Sequence, residues 1–342
     1  MREIKKHIFL ETISYENRHM SPRNLYIIRG EERSLMVDTS NNTERDWTIL
    51  KGMIDALGID CRKLDIFITH EHPDHTGLVP KLQELGARAF MNPDETRKRV
   101  DLLHSYLADE RARIENLRIV GVTKEETPEV YDTFMEYTTK AYASEKSPLE
   151  LSFIPIHPGD ILSYGGYHFE VKLLKGHTFG QCGLYEPEKK LMFVGDQLMT
   201  TIVPIVGTQE TDLGMLKCYL DSLGDLKHNY KDCYFLPVIM GRLGMLKKEV
   251  NRIILGYLEK CGDHEACSGG SGNGADHAGY WCTDLWTEQG PPDYAHFASC
   301  TYIWAKTFSC MEYMMGEGFV ERSERDGIIY WKAPSIHFEN NR

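Results

Sequence analysis

Short apolar runs alternate with amphipathic stretches over the first ninety residues of the chain. Leu25–Arg29 and Ser34–Asp38 are apolar runs separated by the polar turn Gly30–Arg33, which predicts a β-hairpin. Thr43–Leu57 places apolar side chains at helical spacing and predicts a helix. Leu64–Thr69 is nearly all apolar and rich in β-formers, which is typical of a strand buried on both faces. Together these segments predict strands and helices built around one core.

The pattern changes between residues 93 and 148, where Glu, Lys, Arg and Tyr recur at helical spacing. It predicts two or three helices inserted into the strand-rich chain. Strand signals then return, as in the run His168–Leu174, and are followed by a predicted helix over Leu213–Leu226 and a strand over Cys233–Leu236. Met245–Lys260 is amphipathic and predicts one more helix.

The C-terminal part of the chain has a different composition. Residues 261–279 are rich in Gly and Ser, which predicts a flexible loop. Phe297–Met315 predicts a helix, and the Asp-Gly pair at 326–327 between two apolar runs predicts a β-hairpin. A helix followed by a hairpin is typical of a small winged-helix-like domain. We therefore expect a main domain with a helical insertion at about 93–148, then a flexible loop and a winged-helix-like tail, with the bounds 1–260, 261–279 and 280–342.

The overall composition is that of an ordinary globular protein with an acidic charge balance. Of the 342 residues, 42% are hydrophobic and 26% are charged, which argues against wholesale disorder. The 39 Lys and Arg residues against 51 Asp and Glu residues give a net charge of −12, so we expect no nucleic-acid partner. Apolar runs all fall short of the roughly 18 residues of a membrane helix, and nine cysteines without a signal peptide favour reduced thiols. These features predict a cytoplasmic protein with no membrane contact.

Four potential metal ligands lie within six residues directly after the apolar run Leu64–Thr69. They are His70, His72, Asp74 and His75. Imidazole nitrogens and carboxylate oxygens suit zinc, iron or manganese. In an extended segment His70 and His72 point to the same side, and Pro73 then bends the chain so that the next two ligands face a second position. The cluster therefore predicts a metal site at a strand end, with room for two adjacent ions.

This motif and three others resemble a known family. Thr69–Gly77 has the pattern THxHxDHTG. The first companion motif, Leu35–Thr39, is a strand that ends in an aspartate. The other two are a strand-end histidine in Lys175–Thr178 and a strand-end aspartate in Phe193–Asp196. From about residue 20 to 260 the chain resembles the metallo-β-lactamase superfamily, with its glyoxalase-II-like and lactonase-like branches. The resemblance implies an α+β fold, an αβ/βα sandwich of two mixed sheets with helices outside and metals at one edge. The tail is similar to the winged-helix-like extension of one branch.

The resemblance also implies a role for each candidate residue. The implied ligands of a first metal are His70, His72 and His177. The implied ligands of a second metal are Asp74 and His75, and Asp196 is implied to bridge the two metals. Asp38 is implied to support the ligand loop without contacting the metal. Zinc is the expected ion, at one or two per chain, with iron or manganese as alternatives.

One position departs from the family pattern. The family ends a later strand with Pro-Gly-His-Gly, whose histidine completes the second metal site, whereas this chain has Ile239 at that position. An alkyl side chain cannot bind a metal, so we expect the second ion to bind weakly, to exchange or to recruit a substitute ligand. The candidate substitutes are His264, His277, a side chain from a partner subunit or a substrate atom. Arg242 is either a ligand for a substrate carboxylate or a surface charge.

The function implied by this site is hydrolysis of a small ester, thioester or lactone by a metal-activated hydroxide. Asp74 is the candidate catalytic residue, because it can orient the water or pass a proton to the leaving group. Two alternatives stay open: a mononuclear non-haem iron dioxygenase acting on a thiol or persulfide, and a non-catalytic binding protein of the same fold. The helical insertion is expected to be a substrate-selecting lid or a dimerisation element, which leaves a homodimer open.

Overall fold

A computed structural model describes most of the chain. The described residues are 1–15, 22–97, 110–144, 151–199, 203–206, 214–239, 247–268 and 294–332. They divide into two compact units, of which the first comprises Met1–Lys98, Lys146–Pro204 and Cys218–Ile254. The second comprises Arg99–Glu145, Ile205–Lys217 and Leu255–Arg342. The inserted helices and the C-terminal region therefore belong to the same unit.

The first unit contains two β-sheets. Seven described strands form one sheet in sequence order, and they are β1 Arg2–Lys5, β2 Ile8–Ile13, β3 Arg23–Ile28, β4 Ser34–Val37, β5 Leu64–Phe67, β6 Arg88–Met91 and β7 Ile154–Pro155. Five described strands form the other sheet, and they are β8 Ile161–Tyr164, β9 Tyr167–Leu173, β10 Cys182–Glu186, β11 Leu191–Phe193 and β12 Tyr234–Leu236. Each sheet mixes parallel and antiparallel pairs: β4 to β7 and β11 to β12 are parallel, and the other neighbours are antiparallel.

Helices alternate with these strands and continue beyond them. Within the described residues the α-helices are α1 Glu44–Ala56, α2 Pro73–Thr76, α3 Val79–Glu84, α4 Glu110–Ile119, α5 Pro128–Ser144, α6 Met215–Asn229, α7 Lys247–Ser268 and α8 Tyr294–Gly316. Thr43 caps α1, because its hydroxyl accepts a hydrogen bond from the Asp46 N–H at 3.1 Å. None of the described helices combines the length and the apolar composition that crossing a bilayer requires.

The core of the first unit has two layers. On one face of the seven-stranded sheet, apolar side chains such as Met36 and Ile66 pack with residues of α1 and α3. On the other face they pack against the five-stranded sheet, where the rings of Tyr26 and Phe193 meet edge to face with centroids 5.2 Å apart. Because β5 has the helices on one face and the second sheet on the other, its apolar run is uninterrupted. Two sheets packed face to face confirm the predicted sandwich.

A buried ion cluster lies near the start of β5, at the opposite end of this strand from the predicted metal ligands. Asp65 of β5 is fully buried and accepts two hydrogen bonds from Arg88, both at 2.7 Å, and two from Arg33, at 2.6 and 2.8 Å. The hydroxyl of Tyr164 donates a fifth bond at 2.7 Å. Burial acts to raise the pKa of Asp65, but the bonds from Arg88, Arg33 and Tyr164 hold it well below its usual value. Asp65 therefore links both sheets through a charge that is fully compensated.

The second unit is built on α4, α5, α8 and a two-stranded sheet. The hairpin strands are β13 Glu321–Arg325 and β14 Ile328–Lys332, joined by Asp326 and Gly327, both with positive φ. Large rings form its core: Phe308 meets Trp331 at a centroid distance of 5.6 Å, and Phe134 lies 6.4 Å from Trp304. The predicted helix and hairpin are confirmed, and the winged-helix-like character of this region stays a prediction.

One predicted boundary is wrong. The flexible loop was expected to begin at residue 261, but α7 continues through Cys261 to Ser268. Residues 261–268 contain only one glycine, and their other side chains are compatible with a helix, so the helix that begins at Lys247 extends through them. The Gly-Ser tract proper starts at Gly269, and residues 269–279 lie outside the described part of the chain.

We predict that Asp65→Asn lowers the free energy of unfolding by about 2 kcal/mol at pH 7, because two arginines lose their counter-charge. The pKa of Asp65 is strongly depressed in the folded state, so its stabilisation is full above the unfolded pKa of about 3.9 and is lost as the pH falls from there through the much lower folded pKa. Urea unfolding at pH 7 and at about pH 2.5 measures both effects. Asp60→Asn is the control, because its ion pair with Arg62 is exposed and should leave the midpoint unchanged.

Candidate metal centre

Parallel pairing of two strands brings the candidate residues to one edge of the seven-stranded sheet. Val37 of β4 lies opposite Phe67 of β5, so the residues after each strand leave the sheet side by side. Asp38 follows β4. The ligand loop, which we define as Thr69–Thr76, follows β5 and includes α2. The predicted strand therefore delivers the motif to the edge where Asp38 also lies.

Asp38 supports the ligand loop from behind. Its backbone has φ 56°, a left-handed conformation that aspartate tolerates better than most residues. Oδ1 accepts a hydrogen bond from the Thr69 N–H at 2.7 Å, and Oδ2 accepts one from the Thr69 hydroxyl at 2.8 Å. Oδ2 also lies 2.9 Å from Nδ1 of His75. Asp38 thus fixes the start of the loop and orients one imidazole near its end, the supporting position that the family resemblance implied.

Three imidazoles converge beside this carboxylate. Nε2 of His70 lies 3.0 Å from Nδ1 of His72, and Nε2 of His177 lies 3.1 Å from the same Nδ1 atom. All three side chains are buried, and their ligand atoms lie within 4.8 Å of one another. His177 comes from the chain after β9, so two sequence-distant loops build this set. Three imidazole nitrogens at this spacing suit a divalent transition metal.

A second set of donors overlaps the first. Ligand atoms of His70, His75 and Asp196 also lie within 4.8 Å of one another. Nε2 of His75 and Oδ1 of Asp196 face each other at 3.3 Å, and neither buried atom has a well-aligned hydrogen-bond partner among the described residues. Unpaired buried polar atoms are costly, and they are rare unless an ion or water completes them. The residues therefore fit a metal ion, and a hydrogen-bonded core does not account for them.

Asp196 reaches this set from the second sheet, in the turn after β11. Gly195 has φ 51°, and a Cβ at that position would lie 2.8 Å from the Thr69 hydroxyl oxygen. Glycine is therefore needed for the turn to approach the ligand loop this closely. The Asp196 N–H donates to the side-chain oxygen of Gln181 at 3.2 Å, which holds the turn in place.

Negative charge surrounds His75. Burial acts to lower the pKa of this imidazole, but the carboxylates of Asp196, Asp38 and Asp74 raise it well above its ordinary value. The surrounding field therefore favours positive charge at this position. A proton or a metal ion supplies such a charge equally well.

Asp74 stands apart from both donor sets because it has a cation of its own. Its Oδ2 lies 2.7 Å from Nη2 of Arg23 and 3.8 Å from Nε2 of His75. Burial acts to raise the pKa of Asp74, but the positive charges of Arg23, His75 and His72 hold it well below its usual value. The Asp74 side chain is 20% exposed, against 4% for Asp196. Asp74 is thus a carboxylate with a depressed pKa that is more exposed than Asp196.

Arg23 is held in place by a chain of hydrogen bonds. Its Nη1 donates to the hydroxyl of Tyr15 at 3.1 Å, and its guanidinium lies 5.5 Å from the centre of the Tyr15 ring. The Tyr15 hydroxyl donates to Asp46 at 2.7 Å, and the Ser40 hydroxyl donates to the same carboxylate at 2.5 Å. Arg23 was not among the residues that the sequence singled out, because it lies in β3, about fifty residues before the motif.

Glu95 ties the two ligand-bearing loops together. Its carboxylate accepts hydrogen bonds from the N–H of Glu71 at 2.9 Å, the hydroxyl of Thr178 at 2.8 Å and the N–H of Gly180 at 2.6 Å. Burial raises the pKa of Glu95 to about 7, although these three bonds act to lower it. Sequence reasoning missed Glu95, because a lone glutamate in the short 3-10 turn Pro93–Arg97 carries no recognisable pattern.

The remaining predicted residues have different outcomes. Ile239 is buried and forms an isolated antiparallel bridge with Arg23, so these two residues lie side by side at the edge of the site. Arg242 and His277 lie outside the described residues, and so does the side chain of His264. Their predicted roles stay predictions.

Comparison of the sequence with known protein families supports a metal-binding fold. The family model described as "Metallo-beta-lactamase superfamily" matches residues 20–232, which is more than half of the chain. The chain belongs to the metallo-beta-lactamase superfamily. The match includes the ligand loop, His177 and Asp196, and it ends before Ile239.

Solved structures of the superfamily share the fold over nearly the whole chain. A metallo-beta-lactamase family protein from Thermus thermophilus is 21% identical with a TM-score of 0.73, and the likeness covers 97% of this chain and 100% of that one. A beta-lactamase domain protein from Burkholderia ambifaria is 17% identical with a TM-score of 0.77, covering 97% and 94%. At these identities the likeness concerns the fold alone.

Relatives identified by sequence match shorter parts of this chain than the solved structures do. An uncharacterized protein from Aquifex aeolicus (strain VF5) is 28% identical over 140 residues, which is 41% of this chain and 51% of the relative. A putative diflavin flavoprotein A 2 from Synechocystis sp. is 39% identical over 74 residues, or 21% of this chain and 12% of the relative. This chain thus spans about half or less of the curated relatives that it matches.

We predict that Glu95→Gln lowers the affinity for Zn²⁺ about 10- to 100-fold, because an amide group would face one of the three donors and loosen both ligand-bearing loops. Competition with a chromophoric chelator measures the affinity. Glu186→Gln is a matched control, since Glu186 is also a buried glutamate but accepts its hydrogen bonds from the backbone N–H and the ammonium group of Lys189, away from the ligand-bearing loops. Unchanged affinity in a folded Glu95→Gln variant would contradict the role of Glu95.

Proposed function

We propose that this protein is a metal-dependent hydrolase of a small ester, thioester or lactone. The observation that carries the proposal is the pair of overlapping donor sets at one sheet edge. Their unpaired buried atoms, Nε2 of His75 and Oδ1 of Asp196, are the ones that a metal would satisfy. Membership of a superfamily rich in metal-dependent hydrolases supports the same reaction class.

His70, His72 and His177 would hold the ion, and Asp196 and His75 would face it from the second sheet and from α2. A bound divalent metal lowers the pKa of water from about 15.7 toward 7 and polarises a carbonyl group. The chain's own contribution is to fix the geometry: Asp38 orients His75, and Glu95 links the two loops that carry the imidazoles.

Asp74 is the residue best placed to orient an attacking water. Its side chain is more exposed than that of Asp196, and the charge of Arg23 holds the pKa of its carboxyl well below the usual value. An ionised carboxylate accepts a hydrogen bond from water, whereas a pKa far below neutrality makes it a poor carrier of a proton to the leaving group. We therefore favour water orientation over proton transfer for Asp74.

A small-molecule substrate also fits the charge of the chain. The net charge of −12 opposes nucleic acid, so a nuclease is disfavoured within this superfamily. The proposed partners are therefore a small-molecule substrate and a second copy of the chain in a homodimer.

The second candidate function is a mononuclear iron dioxygenase acting on a thiol or persulfide. The specific observation in its favour is Ile239 at the position of the usual second-site histidine, since that chemistry needs one metal. Metal analysis of the purified protein with an oxygen electrode separates the two. One iron per chain with oxygen uptake would overturn hydrolysis.

We predict that His72→Ala lowers hydrolysis about 100-fold or more and reduces the bound metal, because Nδ1 of His72 faces both other imidazoles of the first set. A panel of nitrophenyl ester, thioester and lactone substrates measures the rate, and treatment with a chelator followed by Zn²⁺ or Mn²⁺ tests reversibility. His168→Ala is the control, since its imidazole is exposed on β9 and contacts Ser163. Full activity in the chelated enzyme would rule out the proposal.

A further inference from the structure

Without a histidine at position 239, a second metal has three protein donors left and no spare one. A catalytic zinc site takes three protein ligands, and the second site of this superfamily would draw on Asp74, His75, the shared Asp196 and a histidine at position 239. Ile239 supplies no donor. His70 belongs to the first set, and its Nδ1 already lies 3.0 Å from the Thr69 hydroxyl. The second position therefore depends on Asp74.

Asp74 is already neutralised by a cation that the protein itself provides. Its Oδ2 lies 2.7 Å from Nη2 of Arg23, and the two side chains are only 20% and 9% exposed. A guanidinium does not lose its proton in a protein, so this positive charge is permanent. A second divalent ion on Asp74 would face that charge at close range in a partly buried site, where screening is weak.

Arg23 lies beside the position at which the family pattern has its second-site histidine. Its backbone bridges to Ile239, the residue at the position of the missing histidine. The adjoining backbone is pinned as well, because the Asn24 N–H donates to the carbonyl of Val238 at 2.7 Å. Ile239, on one side of this bridge, cannot bind a metal. Arg23, on the other side, directs its guanidinium to Asp74, the carboxylate that would share the second metal with a histidine at position 239.

We infer that Arg23 takes the place of the second metal ion, so that this protein binds one divalent ion tightly, at His70, His72 and His177, with Asp196 and His75 facing that ion. The inference rests on the proposed metal-dependent function and specifies its metal content. It also assigns Tyr15 a role: its hydroxyl and ring hold the guanidinium toward Asp74, and Asp46 in turn accepts from that hydroxyl. Tyr15 and Asp46 are positioning residues for this cation.

The test is the metal stoichiometry of four proteins titrated with Zn²⁺ after removal of bound metal. We expect one tight equivalent in the wild type, and one in Ile239→His, because Arg23 still engages Asp74 there. The double variant Arg23→Gln with Ile239→His should bind two equivalents, since it frees Asp74 and restores the imidazole. Arg33→Gln is the matched control, because Arg33 pairs with Asp65 at the other end of the sheet, and it should bind one.

Equilibrium dialysis with elemental analysis gives the count, and Mn²⁺ electron paramagnetic resonance gives an independent reading. A magnetically coupled Mn²⁺ pair in the wild type, or two zinc equivalents of similar affinity, would overturn the inference and leave the proposed hydrolase standing. One equivalent in the folded double variant would also overturn it. Binding of no metal by the wild type would defeat the proposed function itself. If the double variant fails to fold, the wild-type count and spectrum still decide.

Discussion

Compensation of buried carboxylates is the constraint on which the first unit of this protein depends. A carboxylate inside a sandwich of two sheets is stable only if cations or hydrogen-bond donors surround it. Asp65 meets this requirement at one end of β5 with two arginine forks. At the other end of the same strand, Asp38 meets it with donors from Thr69 and the ring of His75. The strand is thus fixed at both ends by charge, and its apolar middle supplies the packing.

The two ends of β5 differ in whether the buried polar atoms beside them have hydrogen-bond partners. Around Asp65 two arginines and a tyrosine supply five hydrogen bonds to the buried carboxylate. At the opposite edge, Nε2 of His75 and Oδ1 of Asp196 have no hydrogen-bond partner among the described residues. Buried polar atoms without a partner are rare unless an ion or water completes them. The unpartnered atoms therefore lie at the edge where the candidate metal ligands converge.

The sequence predicted what is local or strongly patterned. The apolar run before His70 placed the ligands at a strand end, and the spacing of Thr43–Leu57 matched α1 almost to its ends. It did not predict Arg23 or Glu95, because each acts across the fold: β3 carries one and a short turn the other, and neither has a motif of its own. The end of α7 was missed for the opposite reason. Local composition near Gly262 suggested a loop, and the helix that begins at Lys247 continued through it.

An arginine in place of a second ion has a chemical consequence for the first. Three imidazoles are neutral ligands, so an ion held by His70, His72 and His177 keeps its full charge as a Lewis acid. A guanidinium beside Asp74 stabilises the ionised carboxylate through a bond to Oδ2 alone, so lone pairs remain to accept hydrogen bonds from water or substrate. A second metal would consume those lone pairs. The pairing of Arg23 with Asp74 therefore turns a ligand of the family pattern into a fixed hydrogen-bond acceptor at the rim of a one-ion site.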